Sequence, residues 1–146
     1  MKEEEVIALS NLCNFKADHV SPLKQEASGR KYWRVSNTSD SFVLCYLDPT
    51  IGNHLDFIQI TNSLQNNNIN SVNVIHHNDE HGLTLQEDLG DKDLLSILNT
   101  ENKTELIEKS LDLLIQIQNA DIKNIDRFTD NELSLIHISE PTRHSI

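Results

Sequence analysis

The sequence predicts an α+β protein built on a five-stranded antiparallel sheet with flanking helices, and three observations carry that reading. Three short segments rich in β-branched and aromatic residues are separated by turn formers, and two more apolar segments flank a later turn. Helical periodicity opens the chain, and it returns between the third and fourth of these segments and again after the fifth. Helices and strands do not alternate one for one, as they would in a doubly wound parallel sheet.

The first helix is expected from Lys2 to Phe15. Val6, Leu9 and Cys13, widened by Ile7 and Leu12, fall near the 3.6 period, and Glu3, Glu4 and Glu5 sit at the positive end of the helix dipole. His19–Leu23, Tyr32–Val35 and Ser41–Leu47 read as three strands of an antiparallel meander, parted by segments carrying Gly29 and Asn37-Thr38-Ser39-Asp40. Pro49 and Gly52 interrupt the strand pattern. A second helix then follows from His54 to Gln65, with Leu55, Ile58 and Leu64 on its stripe and Phe57 and Ile60 beside it. Asn66-Asn67-Asn68 is a polar exit, after which Val72–His76 and Leu83–Glu87 read as strands around a turn from Asn78 to Gly82. Leu94, Leu95 and Leu98 mark a short helix, and Leu106, Ile107, Leu111, Leu114, Ile115 and Gln118 a longer one starting near Thr104. No internal repeat is visible.

A chain of 146 residues suits a single domain. A net charge of −11 repels nucleic acid and anionic lipid, so neither is an expected partner. Two cysteines, Cys13 and Cys45, lack metal-ligand spacing and read as buried free thiols. The acidic start is unlike a secretory signal and no apolar run reaches membrane-spanning length, so a cytoplasmic setting is expected; the sequons at Asn37 and Asn102 are then incidental. His76, His77 and His81 with Asp79 and Glu80 contain metal-binding side chains, but their spacing fits a polar hairpin turn better.

Two segments carry chemistry. His19 to Val35 places small residues and two cations between consecutive strands, and such a loop can bring backbone N–H groups close to a phosphate while Arg30 and Lys31 supply charge. An ordinary hairpin with solvated basic residues has the same composition. Gly82 to Asp91 is an apolar strand running into Glu87-Asp88-Leu89-Gly90, a strand end able to offer main-chain groups to a base, or one that simply turns at Gly90.

Taken together, Glu26-Ala27-Ser28-Gly29-Arg30-Lys31-Tyr32-Trp33-Arg34-Val35, Val43-Leu44-Cys45-Tyr46-Leu47-Asp48-Pro49 and Leu85-Gln86-Glu87-Asp88-Leu89-Gly90 resemble the phosphotransferase family that includes aminoglycoside and choline kinases. Within it they look most like the bacterial cell-wall sugar kinases that phosphorylate the anomeric hydroxyl of N-acetylmuramate and N-acetylglucosamine. There the first motif reads close to Asp-Ala-Ser-Phe-Arg-Arg-Tyr-Phe-Arg and the second ends in Asp-Ala-Pro-Pro. The resemblance runs from about Val20 to Glu132. It implies a protein-kinase-like N-terminal lobe over 1–90 and the start of a second lobe over 91–132. It also implies ATP as phosphoryl donor, Mg2+ held by ligands beyond this chain, and a small-molecule sugar as acceptor. Ser28, Gly29 and Arg30, with Lys31, would lie over the phosphates. Glu87 and Leu89 would offer main-chain groups to adenine, and Val43 and Leu85 its apolar walls. No residue here is assigned a catalytic or metal-binding role.

Two departures stand out. Ser41–Leu47 contains no lysine to contact the phosphates, so another cation is expected to substitute, Arg30 first and Lys31 or Arg34 behind it. Gly29 also stands where the family motif has an aromatic residue. The H-x-D segment with its downstream Asn and acidic metal ligand has no match, since His137 is followed by Ile138-Ser139. Leu133 to Arg143 reads as a translated transposase-type sequencing adaptor, so 133–146 is expected to be an artefact tail, the alternative being a natural amphipathic one. The expected function is a fragment of an ATP-dependent sugar phosphotransferase, inactive alone. The alternatives are a non-catalytic nucleotide-binding or interaction module, or a piece of an aminoglycoside or choline kinase.

Overall fold

In the computed structural model, residues 1–25 and 28–120 are described. Glu26 and Ala27 of the first motif, the expected second-lobe residues past 120 and the 133–146 tail lie outside the described residues.

The elements run α1 (Glu3–Leu12), β1 (His19–Pro22), β2 (Lys31–Ser36), β3 (Ser41–Tyr46), α2 (Leu55–Asn66), β4 (Val74–Asn78), β5 (Leu83–Glu87), α3 (Leu94–Ile97) and α4 (Lys103–Gln118). The strands form one open antiparallel sheet in the order β1-β2-β3-β5-β4. The first three strands make the expected meander. Asn37 closes the β2–β3 turn by accepting the N–H groups of Ser39 and Asp40 at 2.9 and 2.8 Å. The last two pair with each other as a hairpin, but β5 and not β4 docks on β3. Burial matches the choice: Leu83, Thr84, Leu85 and Gln86 are all buried, as a central strand requires, whereas β1 and β4 have no buried residue and take the edges.

Both long helices before β5 end in the same way. Asn14 and Asn68 adopt left-handed φ values of 58° and 59°, and the next residues, Phe15 and Ile69, return their N–H groups to Ser10 and Leu64 at 3.1 and 2.9 Å. Phe15 and Ile69 are themselves buried, so each turn also anchors the exit apolarly. This is why α1 stops at Leu12 although the apolar pattern runs to Phe15: Cys13 and Phe15 still face the core, but from the turn. At the other end of α1, Glu5 accepts the Lys2 N–H at 2.6 Å.

The core lies between α1 and one face of the sheet. Val6, Cys13, Phe15 and Ala17 pack on Trp33, Val35, Leu44, Leu83 and Leu85, and the Phe15 and Phe42 rings meet edge to face at 4.9 Å. The opposite face is covered less tightly. There α2 buries Thr61 and Ser63 instead of the expected leucine stripe, with Leu55 and Ile60 left exposed. β4 begins at Val74 and not at Val72: the Asn73 carbonyl still accepts the Glu87 N–H, but its own N–H goes to the Glu87 carboxylate, and a bulge separates Val74 from His76. α4 has no buried residue, and Leu111, Leu114 and Ile115 on it are each more than half exposed. Among the described residues no helix is long and apolar enough to cross a membrane.

The tightest junction is at Gly82. Its carbonyl accepts the Leu47 N–H and the His54 ring nitrogen, both at 2.9 Å, tying the β4–β5 turn to the end of β3 and the start of α2. Its φ is +67°, and a Cβ there would sit 1.9 Å from the Leu47 carbonyl oxygen. Gly82→Ala is therefore expected to destabilise the fold by about 2–4 kcal/mol, read as a lowered urea midpoint with an unchanged slope.

Candidate functional site

Antiparallel partners share a face and neighbours along a strand alternate, so the register sorts the side chains between the two sides of the sheet. Trp33, Leu44 and Leu85 are partners on the α1 side. Tyr32, Cys45 and Thr84 form one row on the α2 side, and Arg34, Val43 and Gln86 form the next. An open cleft of about 310 Å3 lies between these rows and α2. Tyr32, Cys45 and Gln86 line it from the sheet, His54, Phe57 and Ile60 from α2, and Arg30 from the loop before β2. The size is at the small end of ligand pockets, and the lining mixes Phe57, Ile60 and the Tyr32 ring with the polar Arg30, His54 and Gln86.

Arg30 is the cation of this cleft. Its guanidinium donates to the Asn53 carbonyl at 3.3 Å, and among the described residues no carboxylate pairs with it. Cys45 lies beside it. Burial pushes the Cys45 thiol up to about 11, against smaller opposing effects of Tyr32, Arg30 and Thr84, so it stays protonated near neutrality. Cys13 on the other face is likewise raised to about 11 by burial, and both cysteines are free, as the sequence suggests. The Gln86 amide donates to Thr84 Oγ1 at 2.9 Å, which satisfies one end of a buried side chain at the cleft wall.

Arg34 has a different task. Its Nε and Nη2 donate to the two oxygens of Asp88 at 2.6 and 3.0 Å, and its Nη1 donates to Asp91 at 2.9 Å. The Arg34 and Asp88 side chains are only 23% and 12% exposed, so this pairing is worth more than a surface ion pair. Paired with Arg34, and helped by Ser41 and the Gly90 N–H, the Asp88 carboxyl is held well below the usual carboxylate range; partial burial opposes this but loses. Arg34 is thus committed to the chain leaving β5, which removes it as a candidate replacement for the third-strand lysine.

The residues expected to bind nucleotide divide between the two faces. Arg30 lines the cleft, and Val43 lies on the same face between Arg34 and Gln86. Lys31 pairs with Tyr46 and so points to the other side of the sheet from Tyr32. Leu85 is buried in the α1 core, so Val43 and Leu85 do not form facing walls of one slot: a one-residue difference in register puts them back to back. Ser28 and Gly29 form an exposed turn; Gly29 has a φ of +75° with open space around it, so its backbone conformation and not crowding favours glycine over an aromatic residue. Glu87 and Leu89 lie at the β5 exit. The Glu87 N–H donates to the Asn73 carbonyl at 2.9 Å, and the Asn73 N–H goes to the Glu87 carboxylate, so it is not spent on the Glu87 main-chain carbonyl. Leu89 is exposed, and its main chain makes no hydrogen bond among the described residues.

Sequence reasoning missed Tyr32, Cys45, His54, Phe57, Ile60 and Gln86 as lining residues. The parity of Val43 would have found Cys45, but the contribution of α2 depends on how that helix docks. The histidine-rich turn is held by its own contacts, His77 on Asp79 at 2.9 Å and His81 on Asn78 at 3.0 Å, and among the described residues no group of three metal-binding side chains converges.

No family model matches the chain, and no solved structure matches it. It is similar to an N-acetylmuramate/N-acetylglucosamine kinase of Pseudomonas putida, with 31% identity over 103 residues, which are 70% of this chain and 30% of that protein. The chain therefore spans under a third of that relative's length, and the likeness supports a distant kinase-like relation.

His54 links this site to pH. The Gly82 carbonyl can only accept, so His54 carries its proton on Nε2, and burial lowers its pKa below the ordinary histidine value. A folded-state value below the unfolded one gives stability that is complete above about pH 6.5 and is lost as pH falls below it. The depressed Asp88 follows the same sign at lower pH, with stability lost below about pH 4. Urea midpoints are expected to fall in these two windows, and His54→Gln is expected to flatten the upper one alone.

Proposed function

We propose that the chain is the nucleotide-holding part of an ATP-dependent phosphotransferase acting on a sugar hydroxyl, of the type related to aminoglycoside and choline kinases. The observation that carries this reading is Arg30, a cation with no carboxylate partner among the described residues, at a cleft whose sheet floor leads through Gln86 to the main chain at Glu87 and Leu89. Arg30 takes the part of the missing third-strand lysine and offsets charge on the phosphates, while the strand exit receives the adenine. Tyr32, Phe57 and Ile60 supply apolar walls that keep water from the base. Residues 1–90 make the lobe and 91–132 begin the next.

The likeness to a kinase named for N-acetylmuramate and N-acetylglucosamine supports an amino-sugar acceptor. In this reading the catalytic aspartate and the magnesium ligands belong to the part of the kinase that the chain does not span. Phosphoryl transfer rests largely on positioning and charge, so a lobe that only grips nucleotide still contributes much of the rate. The apolar surface of α4 fits the same reading, since Leu111, Leu114 and Ile115 are each more than half exposed and suit a second layer.

Calorimetric titration of the chain with MgATP tests the reading. Binding is expected, and Arg30→Ala is expected to weaken it about 10- to 100-fold, the loss of one charge-assisted contact. A chain that binds no nucleotide, or binds equally well without Arg30, would sink the assignment. Sequencing the native locus beyond the codon for Glu132 tests the remainder: an H-x-D segment with a downstream Asn is expected there.

A further inference from the structure

The Asp88 carboxylate is saturated. Oδ1 accepts from Arg34 Nη2 at 3.0 Å and from the Gly90 N–H at 2.9 Å, while Oδ2 accepts from Arg34 Nε at 2.6 Å and from Ser41 Oγ at 2.7 Å. Four donors fill the acceptor sites of a carboxylate, so the side chain has no alternative hydrogen-bonded orientation to move to. The donors come from β2, β3 and the chain just past Asp88, so the carboxylate is fixed to the sheet and also to its own backbone. Arg34 is equally occupied, because its third nitrogen reaches Asp91 at 2.9 Å.

The backbone consequence is specific. The carbonyl of Glu87 belongs to the peptide group before the Asp88 Cα, and the N–H of Leu89 belongs to the peptide group after it. The two dihedrals of Asp88 alone therefore set the angle between that acceptor and that donor. An exit held in this way needs no reordering when a planar base with an adjacent donor and acceptor arrives.

We propose that Arg34, acting through Asp88, is a positioning residue that presets the Glu87 carbonyl and the Leu89 N–H for adenine, so that recognition of the base depends on Arg34 while recognition of the phosphates depends on Arg30. The inference rests on the nucleotide-binding reading above. It assigns to the second arginine of the loop-and-strand segment a role at the β5 exit, whereas the first lines the cleft.

The test separates base from phosphate by titrating the 146-residue chain with ADP and with inorganic tripolyphosphate. Arg34→Gln is expected to weaken ADP about tenfold or more and to leave tripolyphosphate within about twofold, with Arg34→Lys recovering part of the loss. Ser41→Ala, which removes one donor to Asp88 and keeps the fork, is expected to weaken ADP about threefold. Arg30→Ala is expected to weaken both ligands. Unchanged ADP affinity in Arg34→Gln overturns the proposal, and so does an equal loss for both ligands, which marks a general loss of fold. If Arg34→Gln does not melt cooperatively, Arg34→Lys and Ser41→Ala decide by the same split. A wild-type chain that does not bind ADP overturns the nucleotide-binding reading itself, whereas one that binds ADP and keeps that affinity in Arg34→Gln overturns this inference alone.

Discussion

β5 is buried on both faces, and the rest of the architecture answers to that constraint. A strand covered on two sides must sit inside the sheet, so β5 enters between β3 and β4 even though β4 precedes it in the chain. Its alternation then makes two unlike layers. Leu83 and Leu85 complete an apolar core with Trp33, Leu44 and α1, whereas Thr84 and Gln86 face α2 and share a hydrogen bond. A layer that carries polar side chains cannot close as tightly as one made of leucine and valine, because each buried polar group must keep a partner. The cleft is the consequence of that looser closure.

Charge acts on the same side of the sheet. The protein is strongly acidic, with 12 basic against 23 acidic residues, so cations are scarce and their pairing matters. Arg34 is used within the fold, where it joins β2 to the segment leaving β5. Arg30, two pleats earlier and on the same side, is left facing the cleft. A single alternation thus places one arginine where it stiffens main chain and another where it can meet an anion, with Lys31 between them turned to the opposite face.

Gly82 and His54 hold this arrangement together from a third direction. The turn between β4 and β5 comes so close to Leu47 that a side chain has no room, and the same carbonyl receives the ring of the residue that precedes α2. The position of α2, and with it the outer wall of the cleft, is therefore tied to the hairpin that supplies the central strand. His54 serves this junction as a neutral donor, which is why its burial costs stability on the acid side.

Much of the architecture is legible in the sequence by itself. Short runs bounded by turn formers mark every strand to within a few residues, the α+β layering follows from the order of the elements, and the loop with Arg30 and the strand exit at Glu87–Leu89 stand out as local pattern. Local pattern suffices there because hydrophobic periodicity and turn residues act over short stretches of chain. Strand order and the facing of side chains are not local. Nothing near Leu85 in the sequence says that it belongs with Val6 and Trp33 and not with Val43, since that depends on a register fixed by partners some 40 residues away. The Arg34–Asp88 fork joins residues 54 apart, and the cleft is closed by a helix whose docking follows from Gly82. These features were decided only by the tertiary structure, because the energies that select them arise when distant strands have paired and the polar groups between them must find partners.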